Sequence, residues 1–321
     1  MLKYILRRLI IMVPELFVIT FIVFIIMQAA PGDFLDMYRL DPSVSEAFLK
    51  KMEKELGLDK PWIVQYGIWL KNFLTGNFGY SFYYRRPVSS LIWERVFATV
   101  ILSLSSLAFE WILGVVFGVF SALKKYSLWD KIMTVIAFSG IALPEFFLAI
   151  LLLFVAAKTG WFPIAGMISV NHFQMSTWER FKDILSHLIL PTIALGFGGF
   201  ASLMRYMRGS LLDVLNEDYV EFARAKGMPE RVVIYKHALR NAINPMITLL
   251  GFSISGILGG ALIVENIFSW PGMGRLVYQA LLQQDVYVVM ASAVISAILL
   301  VIGNLIADIL LAAVDPRVRY E

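Results

Sequence analysis

EFARAKG, Glu221 to Gly227, is a soluble-looking segment held in the most basic connection of a chain that otherwise alternates between long apolar runs. Asn216 is placed to cap a helix there. Glu217 and Asp218 put negative charge at the positive end of its dipole, and Arg224 and Lys226 put positive charge at the other. Tyr219, Phe222, Ala223 and Lys226 share one face, which reads as aromatic and small with a buried-looking Phe, while Glu221 and Ala225 lie on a second. Gly227 supplies a left-handed stop, and Pro229 with Glu230 opens the next helix. A docking surface for another protein is the functional reading of this pattern. A plain solvated connection is the alternative, and it needs neither the small residues nor the Phe in this order.

Working outward, the runs on both sides decide the fold class. Hydrophobic residues make up 59% of the chain and charged ones 16%, against about 25% charged in an ordinary soluble domain. Six stretches reach the roughly 20 residues needed to cross a hydrocarbon core: Leu9 to Ala30, Ala98 to Ala122, Ile132 to Ala157, His187 to Tyr206, Asn244 to Glu265 and Val288 to Val314. The expected architecture is an all-α integral membrane protein with six transmembrane helices and an external helical insert after the first. Residues 1–97 would hold the first span and the insert; residues 98–321 would hold a five-helix core with its cytoplasmic loop near 207–243. So many spans leave no room for a soluble enzyme core.

Lys and Arg in short connections are retained in the cytoplasm. Lys3, Arg7 and Arg8, then Lys124, Lys125 and Lys131, then Arg205, Arg208, Arg224, Lys226, Arg231, Lys236 and Arg240, then Arg317 and Arg319 all fall on one side of a six-span plan. Both termini are thus expected in the cytoplasm, and the net charge of +4 reads as topology, in contact with lipid, and not as nucleic-acid binding. The basic start and apolar run also fit a signal peptide, but Leu9 to Ala30 exceeds the usual 7–15-residue apolar core of one, which favours a retained span. Without cysteine there is no disulfide framework or thiolate metal site, and His172, His187 and His237 are too scattered in sequence to suggest zinc.

In the insert, Asp41-Pro42 reads as a helix start, with Val44, Phe48, Met52 and Leu56 on one face until Gly57; a second helix starts at Pro61 and carries Ile63, Tyr66, Leu70 and Phe73 to Gly76. These pieces are expected to cover the external helix ends, or to receive an external partner. Glu110 and Glu145 fall midway along the second and third spans. A carboxylate there costs about 2.5–3.5 kcal/mol on insertion scales, so each either lines a solute path or is neutralised or paired within the bundle. Pro144 frees a carbonyl and can bend the helix beside Glu145. Asp308 and Arg205 read as snorkelling to the interface. Gly251, Ser255, Gly259 and Gly260 read as a close-packing helix surface, and Gly196, Gly198 and Gly199 as the same or a hinge.

Several stretches together resemble one family. Glu221, Ala223 and Gly227 hold the spacing of the EAA motif of binding-protein-dependent ABC importer permeases, with Phe222 in place of the first alanine. His237-Ala238-Leu239-Arg240 keeps the leucine of the motif's Ile-x-Leu-Pro end but neither the isoleucine nor the proline, a departure shared by the oligopeptide and dipeptide branch. APGD at Ala30 to Asp33, LGLDKPWIVQY at Leu56 to Tyr66, ALPEFFLA at Ala142 to Ala149, HLILPTIALG at His187 to Gly196, Asp218 to Pro245, VENIFSWPGMGRL at Val264 to Leu276 and VDPRVRY at Val314 to Tyr320 all look like that branch, in order along the chain.

The resemblance implies a type I importer permease that forms a path for peptides delivered by an extracytoplasmic substrate-binding protein. It implies a second, non-identical permease and two ATPase subunits, with ATP and Mg on those ATPases and no cofactor on this chain. The implied coupling residues are Tyr219, Glu221, Phe222, Ala223, Ala225, Gly227, His237, Leu239 and Asn241; the candidate pathway residues are Glu110, Pro144 and Glu145. No Gly-x-x-x-x-Gly-Lys-Ser/Thr loop is present, consistent with a transport subunit that is not itself the ATPase. Oligosaccharide or nickel-chelate import by the same architecture, or a stand-alone channel or secondary transporter, are the alternatives.

Overall fold

The computed structural model describes residues 2–29, 39, 44–56, 58–81, 83–246, 249–250, 253 and 261–314. The elements are almost all helical: α1 Leu2–Ala29, α2 Glu46–Leu56, α3 Trp62–Leu74, a small hairpin of β1 Tyr80–Ser81 and β2 Arg86–Pro87, α4 Val88–Leu123, α5 Leu128–Ala142, α6 Glu145–Thr159, α7 Thr177–Leu215, α8 Asp218–Ala225, α9 Glu230–Val232, a π-helical stretch Val233–Ala238, α10 Leu239–Ala242, α11 Leu262–Ile267, α12 Met273–Leu282 and α13 Val286–Val314. Within α1, α4, α7 and α13 lie four helices apolar and long enough to cross a membrane.

The expected third span is two helices, α5 and α6, bent by 112° at the proline expected to be able to bend it. Leu143 closes α5 and Pro144, at φ −60° and ψ 139°, precedes α6; a proline cannot donate into the helix and biases the residue before it away from helical geometry. The described residues therefore carry four spans, or five when the bent pair counts as one. Half of the expected span Asn244 to Glu265, including Gly251, Ser255, Gly259 and Gly260, lies outside the described residues. Its last residues belong to the separate short helix α11, which starts at Leu262. The 39-residue α7 runs well past Tyr206, to about 58 Å at helical rise.

The chain divides into two compact units, Leu2–Thr99 with Pro271–Ile302, and Val100–Trp270 with the chain from Gly303 onward. Residues 271–302, expected in the five-helix core, thus pack with the N-terminal segment. In that unit α3 lies along α1: Tyr66 is buried among Phe17, Phe21 and Phe24, with ring centroids 5.2–5.7 Å away, and its hydroxyl is 2.9 Å from the Thr20 hydroxyl. Ser45 Oγ accepts from Phe48 N–H at the start of α2, so the cap is Ser45; Asp41-Pro42 and Gly57 lie outside the described residues.

The hairpin is tied to α12 and to the start of α13. Ser81 Oγ donates to Asp285 at 2.5 Å, Tyr84 Oη donates to Gln279 at 2.7 Å, and Gly79, at φ +89°, lies where any Cβ would strike the Tyr287 ring. In the second unit α5 and α6 pack on α7. Gly196 and Gly199 sit against α4 at Ser106 and Glu110, so these two glycines make a close helix contact.

Candidate functional site

The short helix α8 forms where the charge pattern placed it, with two corrections. α7 continues through Leu215, so Asn216 closes that helix, its Nδ2 donating to Leu212 O at 3.0 Å; Glu217 is the residue preceding α8, and no side-chain cap bond is made there. The face read as aromatic and small is divided. Val220 and Ala223 turn inward into a core made by Leu203, Met207 and Leu211 of α7 with Val233, Ala238, Ala242 and Met246. Phe222, read as buried, is 62% exposed, with the Lys226 ammonium 4.5 Å from its ring centroid.

Around that anchor lie the other residues of the implied coupling set. Glu221, Ala225 and Gly227 are exposed, His237 and Leu239 half-buried. Gly227 takes φ +74° and its N–H donates to Arg224 O at 2.9 Å, a conformation that costs other residues. Asn241 Nδ2 donates to Tyr219 Oη at 2.8 Å, pinning the first turn of α8 to α10, and Arg224 pairs with Glu230 at 3.0 Å across the turn. The stretch that carries His237 is wound as a π-helix, a local form that often marks functional positions. The arrangement is a rigidly seated knob: two small inward side chains lock it, and Tyr219, Glu221 and Phe222 project from it.

The two acids separate. Glu110 lines an open groove of about 330 Å³ with Gly199, Ser202, Leu203, Arg205, Tyr206, Leu249 and Ser253, and its carboxylate hydrogen-bonds with Ser253. Arg205, expected to snorkel from a helix end, has α7 continuing beyond it; it lines this same groove, and its guanidinium lies 5.9 Å from the Phe138 ring. Glu145 does not line the groove. It is the first residue of α6, exposed at the break with Ile141, Leu143, Phe146 and Phe147.

Sequence reasoning passed over the most heavily bonded carboxylate on the α8 side of the unit. Asp130, buried in the first turn of α5, accepts from Arg208 Nε and Nη2 of α7 at 2.7 and 2.8 Å, from Tyr126 N–H at 2.8 Å and from Ser121 Oγ of α4. One side chain thereby braces three helices. Its only sequence signal was an acid among the lysines of a basic link. Likewise His172, from the loop before α7, and His187, one turn along α7, meet at Asp183: His172 Nδ1 is 2.7 Å from the carboxylate and His187 Nδ1 is 2.8 Å from the Asp183 carbonyl. Among the described residues no three such side chains are grouped to hold a metal.

Residues 114–320 match the family of binding-protein-dependent transport system inner membrane components, and residues 1–104 match the N-terminal membrane component of the same transport systems. The chain is 44% identical over 322 residues, covering all of both chains, to the oligopeptide transport system permease protein AppB of Bacillus subtilis. It is 36% identical over 338 residues to the dipeptide transport system permease protein DppB of Alkalihalophilus pseudofirmus, and 35% identical over 322 residues to the glutathione transport system permease protein GsiC of Escherichia coli K12, again over the full length of each.

Proposed function

The chain belongs to the family of binding-protein-dependent transport system inner membrane components, and from that premise we propose how its parts serve as the permease of an ABC importer of the peptide branch. The observation that carries the reading is the seated helix α8. Val220 and Ala223 are buried in the core built on α7, while Phe222 and Glu221 face outward. A partner that grips the outward residues moves α7 with them, because the inward ones leave α8 no independent freedom. Two ATPase subunits closing on ATP would push here, and the Asp130 to Arg208 brace would carry the motion from α7 to the ends of α4 and α5.

In this scheme both termini lie in the cytoplasm and the hairpin side faces outward, toward a substrate-binding protein that delivers peptide to a path between this chain and a second, non-identical permease. Rigid-body rocking of helical bundles about a fixed site gives alternating access. Glu110 and the break at Pro144 and Glu145 would line the path, since exposed carboxylates on spanning segments are costly against lipid. No chemical step occurs on this chain: ATP and Mg belong to the ATPases.

The test is Glu221→Lys, an exposed position that leaves the core of α8 untouched, scored by co-purification of the ATPases and by ATP hydrolysis in liposomes stimulated by peptide-loaded binding protein. Loss of both with a normally folded chain is expected; full assembly and stimulation would refute the coupling assignment. Glu145→Gln in the assembled importer is expected to slow peptide uptake, and unchanged uptake would remove Glu145 from the path.

A further inference from the structure

The groove beside Glu110 brings together groups of both charges that sit far apart in sequence. Glu110 reaches into it from α4 across Gly199 of α7, where any Cβ would collide with the carboxylate. Ser202, Arg205 and Tyr206 follow on α7 at helical spacing, so they share one face, and all three are exposed on this chain. Ser253 supplies a hydroxyl on the far side, bonded to Glu110. The groove lies where the apolar run of α7 from Leu188 to Met204 gives way to charge, on a helix whose far end carries α8.

A carboxylate, a guanidinium and three hydroxyls on one open face cannot rest against hydrocarbon without a desolvation penalty for each charge. They require water or a ligand that answers them. A sugar would leave both charges without counter-charges, and a purely cationic or anionic solute would answer one and repel the other. Sites built from polar groups discriminate strongly against ligands that leave those groups unpaired. At about 330 Å³ the space is at the lower end of ordinary ligand pockets, which suits a molecule of two or three residues.

We propose that this groove binds the zwitterion of a short peptide, with its ammonium at Glu110 and its carboxylate at Arg205, while the hydroxyls of Ser202, Tyr206 and Ser253 serve the peptide bond between them. The inference deepens the importer reading by naming the ligand chemistry of one part of the path, and it rests on that reading. Gly199 is then a positioning residue, since it alone leaves room for the Glu110 carboxylate to cross α7.

The experiment uses the complete importer, purified with its ATPases and second permease in nanodiscs without binding protein, and measures equilibrium binding of radiolabelled Ala-Ala, N-acetyl-Ala-Ala and Ala-Ala amide. Saturable Ala-Ala binding is expected, weakened about tenfold or more by blocking either end. In Glu110→Gln the free and acetylated peptides should become indistinguishable while the amide is still rejected; in Arg205→Gln the pattern should reverse. Absence of Ala-Ala binding to the wild-type complex, or equal binding of all three probes, overturns the proposal without any variant having to fold. Uptake driven by peptide-loaded binding protein separates the two levels. If uptake proceeds while the groove ignores the charged ends, only the zwitterion site falls; if no peptide supports uptake or ATP hydrolysis, the importer reading falls and the site with it.

Discussion

Two short helices, α3 and α8, have similar ingredients and opposite arrangements. Past its exposed first residue, Trp62, α3 turns its central aromatics inward: Tyr66 is buried, Trp69 stacks on it at 6.1 Å, and both meet phenylalanines of α1. In α8 the small residues point inward and the aromatics outward, with Tyr219 40% and Phe222 62% exposed. Burying an aromatic ring contributes stability, so α3 spends its rings on holding itself to α1. α8 is held by the buried Val220 and Ala223, by the Asn241 bond to the Tyr219 hydroxyl and by the Arg224–Glu230 pair, which leaves the Phe222 ring outward. The direction of the aromatic face therefore separates a helix that holds itself to its neighbour from the one for which a docking role is proposed.

The contrast is most sharply broken by Val220→Asp. An unpaired carboxylate forced into the fully buried Val220 position should destabilise the core between α7 and α8 by on the order of 4 kcal/mol or more, read as loss of folded chain in thermal unfolding in detergent. A folded variant of near wild-type stability would mean that α8 is not anchored through Val220. Tyr66→Ala should cost α3 about 3–4 kcal/mol, by cavity formation and loss of the Thr20 contact. The readout is faster proteolysis of residues 58–74 with unchanged cleavage around α8.

Phe222→Ala tests the other arm. It should leave the unfolding temperature unchanged and weaken ATPase association about tenfold, or ~1.4 kcal/mol, measured by titrating the ATPases onto the permease pair. A stability loss as large as that of Tyr66→Ala would make Phe222 structural and erase the contrast.

The smallest effect is expected at the hairpin. Burial pushes the Asp285 carboxyl above the usual carboxylate range, opposed by its hydrogen bond from Ser81. Because the folded state holds this proton more tightly than the unfolded state, its contribution is greatest below the unfolded value and falls as pH rises through the folded one. Hydrogen-exchange protection of the hairpin strands should therefore decrease as pH rises above about 4, the ordinary carboxylate value, and Asp285→Asn should flatten that dependence. A rise in protection over the same interval would reverse the sign and exclude burial as the dominant influence.

Some of this was legible in the residues themselves. Gly227 stands at a positive φ because the chain must turn between two charged helices, and Pro144 breaks a span because it cannot donate into one. Other readings failed for stated causes. Asn216 looked like a cap because the apolar run ends near Tyr206, yet α7 continues on the strength of Met207 and Leu211, whose burial depends on α8 being present to cover them. Phe222 looked buried because hydrophobicity alone does not say which side of a helix has a neighbour.

What the sequence determined by itself were properties carried by neighbouring residues: apolar runs long enough to span a bilayer, the charge asymmetry of α8, its glycine stop, and motifs that mark the family. Only the tertiary structure decided what those residues face. Glu110 and Arg205 share one groove across 95 positions of chain, Asp130 finds Arg208 across 78, and His172 and His187 converge on one aspartate. Local periodicity reports which residues lie on one side of a helix. Which other helix comes to that side is set by close packing, at contacts such as Gly196 and Gly199 where the absence of a side chain lets α4 and α7 meet.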